Sequence, residues 1–262
     1  MALQDTTEGS RGAPFVQSLE RGLAVIRAFD GDHRQLTLSD VARRTGLPRA
    51  AVRRFLLTLV ELGYVRTDGR LFSLRPRVLD LGYAYLSSTS LPEVVQPHLE
   101  DLVARVHESC SVSVLDGDDI VYVARVATKR LMTVAINVGT RFPAYATSMG
   151  RVLLAARPPA ERAAYLRTAR LDQLTRHTVT DPDRLAAVLA EVAGQGFALL
   201  DQELEEGLRS IAVPVRDATG GVVAAMNVSA SARRGPEALY RDVLPPLRQA
   251  ALAVEADLRR TA

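Results

Sequence analysis

Arg49, Arg53 and Arg54, interleaved with Ala50 and Ala51, are the residues of this chain whose types and spacing most directly suggest a chemical task. A guanidinium bonds a guanine edge through two parallel N–H groups or holds a phosphate, and small neighbours let a helix backbone approach the groove. Arg43 and Arg44 precede them, and the twelve residues from Arg43 to Arg54 hold no acid. Charge counts alone leave two readings open: a groove-reading helix, or a solvated helix in a chain whose habitual cation is arginine. Lys129 is the only lysine, which explains why these cations are arginines but not why acids are missing here.

Other chemistry is thinner. The sequence contains no GxSxG, no phosphate-cradling P-loop and no HExxH. His107 and Cys110 stand three apart where a helix is expected, and a core cysteine beside a surface histidine is the simpler account. "DGDD" at 116–119 starts like a calcium loop but lacks the distal acid, so it reads as a hairpin turn. His33, His98 and His177 have no partner visible in the sequence. No metal and no cofactor is expected. In "LLDQELEEGLRSIAVPV", Asp201 and Ser210 could bond a small polar ligand at a pocket mouth, or the acids could form only a charged loop.

The arginines need elements to position them. "SLERGLAVIRAF" puts Leu19, Leu23, Ile26 and, less regularly, Val25 and Phe29 at helical spacing and predicts a first helix from about Ser18, as N-cap, to Phe29. "LTLSDVARRTG" offers Thr37 as N-cap with Asp40 three residues on, Leu38, Val41 and Ala42 as its buried stripe, and Gly46 just past its end. Pro48 suits the first turn of a third helix. There Val52, Phe55, Leu56 and Leu59 form one apolar face and leave Arg49, Ala50, Arg53 and Arg54 elsewhere. Gly63 ends it, and short strands flank "TDGR", placing Arg66 and Arg70 on a wing where a cation usually meets phosphate. Helix, helix, tight turn, helix, hairpin is the order of a winged helix-turn-helix, and the turn and wing together favour the groove-reading helix.

Boundaries follow from the same pass. Residues 1–14 read as a flexible polar arm, 15–75 as the DNA-binding domain, 76–90 as a linker helix and 91–262 as a second domain. In the second domain a hairpin spans 111–126, "LMTVAIN" is a strand, and 183–196 is a strongly amphipathic helix. Strands "FALLDQ", "RSIAVPVRD" and "GVVAAMNVSA" come late, and a final helix from about Pro236 to Arg259 breaks at Pro245–Pro246. The class is therefore α+β.

Bulk numbers agree with a globular chain and not with disorder. Hydrophobic residues make up 47% and charged residues 24% of 262 positions. The formal charge is only +3, yet residues 1–90 carry thirteen arginines against nine acids while the remainder is nearly balanced. No apolar run is long enough for a membrane span, the N-terminus has no signal-peptide core, and one cysteine excludes an internal disulfide. A cytoplasmic location is expected.

Taken in order, "SLERGLAVIRAF", "LTLSDVARRTGLPRAAVRRFLLTLVELGYV", "FSLRPRVLDLGYAYL", "ATSMGRVLLA" and "DQELEEGLRSIAVPVRDATGGVVAAMNVS" resemble the IclR family of bacterial transcription regulators, over about residues 15–258. The resemblance implies a GAF-like α/β effector-binding domain behind the winged helix-turn-helix, in a dimer or dimer of dimers. "RLMTVAINVGTRFPAYATSMGRVLLA" and "LDQELEEGLRSIAVPVRD" look closest to the PcaR/PcaU/PobR branch. That likeness implies a small aromatic or dicarboxylic acid of the β-ketoadipate pathway as effector.

Carried over by motif, the effector positions fall at Leu131, Val134, Phe142, Ser148, Met149, Gly150, Asp201, Leu208 and Ser210. Amides at a helix start suit a carboxylate, and Phe142, Met149 and Leu208 suit a ring. Many family members have Cys where Ser210 stands and a second acid where Leu200 stands. Arg125, Arg141 or Arg209 could neutralise the acid. The expectation is a non-enzymatic regulator binding a pseudo-palindromic operator as a homodimer, its DNA affinity altered by the effector. The rivals are an enzyme converting a small acid and a sensor that acts through a protein partner without binding DNA.

Overall fold

The computed structural model describes residues 15–82, 91–128 and 136–261. The chain divides into two compact units, 1–85 and 86–262, each taken separately below. The expected arm at 1–14, most of the linker helix and most of the strand "LMTVAIN" lie outside the described residues. Of the linker, a 3-10 turn at Pro76–Leu79 and helical residues 80–82 are described.

In the first unit α1 spans Gln17–Arg27, α2 Leu38–Thr45 and α3 Arg49–Glu61. Ser18 lies inside α1, whose N-cap position is Val16 with no side-chain cap. Of the apolar series, Leu19 and Leu23 are 63% and 48% exposed, while Val25 and Phe29 are buried with Ala28. The capping box is present, with Thr37 Oγ1 accepting from the Asp40 amide and Asp40 accepting from the Thr37 amide. Gly46 ends α2 at φ 67, a left-handed conformation in which a Cβ would be strained. Pro48 stands just before the first helical residue of α3.

Val52, Leu56 and Leu59 are buried beside Val25 and Val41. Strands β2 (Val65–Thr67) and β3 (Leu71–Leu74) form the wing, and Asp68 accepts from the amides of Arg70 and Leu71 at its tip. A two-residue strand, β1 (Leu36–Thr37), pairs with β3 and was not foreseen. Arg77 Nη1 donates to the Leu62 carbonyl at 2.8 Å and its guanidinium lies over the Tyr64 ring, tying the 3-10 turn to the end of α3.

Among the described residues the second unit holds an antiparallel six-stranded sheet in the order β6-β5-β4-β9-β8-β7. Its strands are β4 (Ser109–Asp116), β5 (Asp119–Val126), β6 (Arg141–Pro143), β7 (Ala198–Asp201), β8 (Leu208–Arg216) and β9 (Val222–Ser231). On one face pack α4 (Leu91–Val106), α8 (Pro236–Asp242) and α9 (Leu244–Thr261), through Leu99, Leu102, Leu239 and Leu247 against Val112, Ile211 and Val228. The expected break in the last helix falls at Val243, and Pro245 and Pro246 sit in the first turn of α9, where a missing N–H costs nothing.

On the other face lie α5 (Ser148–Ala155), α6 (Pro159–Thr168) and α7 (Pro182–Gln195). Met149, Leu154, Leu185 and Leu189 form that core with Ile120 and Leu200. His107 and Cys110 do not share a helix. α4 ends at Val106, His107 turns out at φ 57, and Cys110 is buried in β4. Among the described residues no helix is long and apolar enough to cross a membrane.

Candidate DNA-contacting helix and effector cavity

Charge pairing separates the arginines of the first unit. Arg43 reaches Asp40 at 2.7 Å and Arg44 reaches Asp30 at 2.5 Å. Arg49, Arg53 and Arg54 are exposed and form no ion pair among the described residues. They project from the first half of α3, with Ala50 exposed and Ala51 half-buried between them. Three uncommitted guanidinium groups on a helix whose other face is anchored by Val52, Leu56 and Leu59 can meet an anionic surface without breaking any internal contact. Arg66 and Arg70 are exposed on the wing, and Arg66 Nε donates to Ser73 Oγ at 2.9 Å.

In the second unit the start of α5 roofs a small cavity over the sheet. Thr147 caps the helix, its Oγ1 accepting from the Gly150 amide at 3.1 Å. The amides of Ser148 and Met149 precede the first helical hydrogen bond and point out of the helix start. Tyr122, Leu200, Leu204 and Leu208 supply apolar wall; Ser148, Gln202, Ser210, Asn227 and Ser229 supply polar wall. Asn227 Nδ2 donates to Ser229 Oγ at 3.2 Å, while Asn227 Oδ1 and Ser148 Oγ are buried and without a partner among the described residues. Leaving such atoms unpaired costs about 1–3 kcal/mol each, so two facing one cavity mark a place for a polar guest. The free volume of about 20 Å³ holds a water molecule, and a ring would have to push the loop after β7 or the start of α5 aside.

The sequence-derived positions divide accordingly. Ser148, Leu208 and Ser210 come together around this cavity. Phe142 stands one layer behind it, edge-on to Tyr122 with ring centroids 6.0 Å apart. Met149 is fully buried in the core beneath. Gly150 has a packing role, because a Cβ there would lie 2.1 Å from the Ala144 carbonyl oxygen. Asp201 turns away. The β7–β8 register pairs Leu200 with Ser210 and Asp201 with Arg209, and Arg209 Nη2 binds Asp201 Oδ2 at 2.7 Å on the other face. That guanidinium holds the Asp201 carboxyl below its ordinary value. Leu131 and Val134 lie outside the described residues.

Tyr122, Gln202, Asn227 and Ser229 escaped the sequence reading. The signal for two of them was available, since Asn227 and Ser229 are polar residues two apart in an otherwise apolar strand, and so share one face. Burial pushes the Tyr122 phenol up to about 12, so it meets a guest as a neutral hydroxyl. The Cys110 thiol is likewise pushed up to about 12 by burial and stays protonated at neutral pH.

Comparison with known proteins adds a family. Residues 18–69 match the IclR helix-turn-helix domain, and residues 83–256 match the C-terminal domain of the bacterial transcriptional regulator IclR. The chain is 53% identical over 216 residues to the Pca regulon regulatory protein of Pseudomonas putida, covering 82% of this chain and 74% of that one. It is 38% identical over 257 residues to the p-hydroxybenzoate hydroxylase transcriptional activator of Acinetobacter baylyi, covering 96% and 95%. A crystal structure of an IclR homolog from Microbacterium hydrocarbonoxydans, complexed with 4-hydroxybenzoate, superposes with a TM-score of 0.81 at 29% identity, covering 94% of this chain and all of that one.

Proposed function

The chain belongs to the IclR family of transcription regulators, and from that premise we propose that it reads an operator with α3 and adjusts that binding to a small aromatic acid held under the start of α5. The observation that carries the effector reading is the pair of buried atoms, Ser148 Oγ and Asn227 Oδ1, that have no partner among the described residues and belong to the lining of one cavity. Leu200, Leu204, Leu208 and Tyr122 offer the apolar wall that a ring needs. The relatives named for Pca and p-hydroxybenzoate regulation, and the homolog holding 4-hydroxybenzoate, support an acid of that class.

Arg49, Ala50, Ala51, Arg53 and Arg54 face the major groove in this reading, and Arg66 and Arg70 meet phosphate from the wing. A homodimer or a dimer of dimers would match a pseudo-palindromic operator, and the exposed apolar residues Val16 at the N-cap of α1 and Leu19 and Leu23 on it suit contact with another protomer. Such a regulator works in the cytoplasm, where its operator is. An enzymatic reading gains no support from Cys110, a buried neutral thiol.

Because binding to the native state alone raises its stability, 4-hydroxybenzoate or protocatechuate should raise the thermal midpoint and shift operator affinity in a gel-shift titration. No shift with any aromatic acid tested would remove the effector reading and leave the DNA-binding reading standing.

A further inference from the structure

The polar strip that floors the cavity continues across the sheet beyond it. Ser111 on β4 pairs with Asn227 on β9 and, on its other side, with Arg125 on β5. Directly paired residues project from the same face, so Asn227, Ser111 and Arg125 form one row on the cavity side. Arg125 Nη1 donates to Ser111 Oγ at 3.0 Å.

The row lies toward the end of the sheet at which α5 begins. The last turn of α5, at Ala155, lines one groove with Gly220 and Gly221 of the β8–β9 turn. Its first turn therefore lies toward the other end, with Ser148 facing the same cavity as Ser210 and Ser229.

The other candidate cations are already committed. Arg141 is held by Asp116 and Asp119 at the hairpin tip, Arg151 by Glu203, and Arg209 by Asp201 on the opposite face. Arg125 is half-buried and has no carboxylate partner among the described residues. Burial lowers its proton affinity. A half-buried guanidinium whose side-chain partner among the described residues is a serine hydroxyl lacks the anion that normally justifies such burial.

We propose that Arg125 is the residue that recognises the effector carboxylate, meeting it from the β5 side while the start of α5 meets it from above. The assignment rests on the aromatic-acid reading above and adds which end of the ligand is bound and by what. Ser148, Asn227 and Ser229 then complete the polar surround, and the ring lies along Leu200, Leu204 and Leu208.

The test compares 4-hydroxybenzoate with its uncharged methyl ester by thermal shift on the full-length protein, on Arg125→Gln and on Arg125→Lys. The wild type should bind the acid roughly ten- to a hundredfold more tightly than the ester, the range set by a charge-assisted hydrogen bond. Arg125→Gln should weaken the acid by that factor and leave the ester unchanged, and Arg125→Lys should recover part of the loss. Unchanged circular dichroism and operator binding would establish that the variants fold. Equal affinity of the wild type for acid and ester, or an undiminished acid preference in Arg125→Gln, overturns the assignment while leaving the aromatic effector in place. If neither compound stabilises the wild type, the aromatic-acid reading itself falls and takes Arg125 with it.

Discussion

Arg151 Nη2 lies 2.5 Å from Glu203 Oε2, with both side chains almost wholly withdrawn from water. Arg151 stands on α5 and also donates through Nε to the Tyr145 carbonyl at 2.9 Å. Glu203 stands in the loop after β7 and accepts from the Val179 amide at 3.0 Å. The pair thus pins the helix that roofs the cavity to the loop that closes it, and Gln202 in that loop holds a left-handed φ of 62. Any movement that opens the cavity has to move the two together or part them.

Removing one partner leaves the other charge buried. Arg151→Met should cost about 3–5 kcal/mol and lower the thermal midpoint of the second unit by roughly 6–20 °C. Adding Glu203→Gln to that variant should restore part of the loss, since the uncompensated charge is gone. A double variant no better than Arg151→Met would mean that packing, and not charge, dominates there.

On α3 the prediction concerns DNA. Arg49→Ala and Arg53→Ala should each weaken operator binding by about 1–3 kcal/mol if the side chain meets a base, with specificity relaxed at that position. If it meets phosphate, binding should weaken for all sequences and the salt slope should fall by about 1. Arg43→Ala, whose guanidinium is engaged by Asp40, should have a smaller effect. Gel-shift titrations at several salt concentrations separate these outcomes, and wild-type binding by both α3 variants would sink the groove assignment.

How far the sequence reaches is seen in these two regions. The first unit was legible because its signals are local. Thr37 and Asp40 are three residues apart, Gly46 follows at once, and Val52, Leu56 and Leu59 repeat at the helical period. Helical spacing alone did not tell Leu19 and Leu23 from Val25 and Phe29, because the same period serves a face left exposed among the described residues as well as one turned to the core. β1 and β6, two and three residues long, are too short to show any period. The cavity draws Tyr122, Ser148, Gln202, Ser210 and Asn227 from distant parts of the chain, and only strand register brings them together. One position of register also decides Asp201, because pairing Leu200 with Ser210 sends its neighbour to the opposite face.

Asp201 gives a pH prediction that follows from that face. Its carboxyl is held below the ordinary value chiefly by the hydrogen bond from Arg209. A depressed carboxyl adds stability that is complete above its unfolded value, near pH 4, and is lost as pH falls through the lower folded one. Its side chain is 42% exposed, so the contribution is at most about 1 kcal/mol. Asp201→Asn should therefore flatten part of the acid limb of the stability curve below about pH 4, and affinity for 4-hydroxybenzoate at neutral pH should not change. A large loss of affinity would return Asp201 to the effector site.

Gly150 is expected to matter without touching a ligand. A Cβ at that position would collide with the Ala144 carbonyl oxygen, backbone that cannot swing away. Gly150→Ala should destabilise the second unit by about 3 kcal/mol or more, or else displace the start of α5. In either case effector binding should fall together with the thermal midpoint, whereas a loss of binding at unchanged stability would indicate direct contact.

Ser148 should behave in the opposite way. Its hydroxyl is buried and unpartnered in the described structure, so replacing it with alanine removes an unsatisfied polar atom and almost no volume. Ser148→Ala should leave the ligand-free protein as stable as before, or raise it by up to about 1 kcal/mol. If the hydroxyl is spent on the effector, the same change should weaken 4-hydroxybenzoate roughly tenfold, because a hydrogen bond made only in the complex is lost. Stability and affinity would then move apart, as expected where a site keeps a costly group for function. Titration of both proteins with ligand during thermal unfolding reads the two quantities at once. Destabilisation of the ligand-free variant by more than about 1 kcal/mol would show that the hydroxyl serves the fold and not the guest.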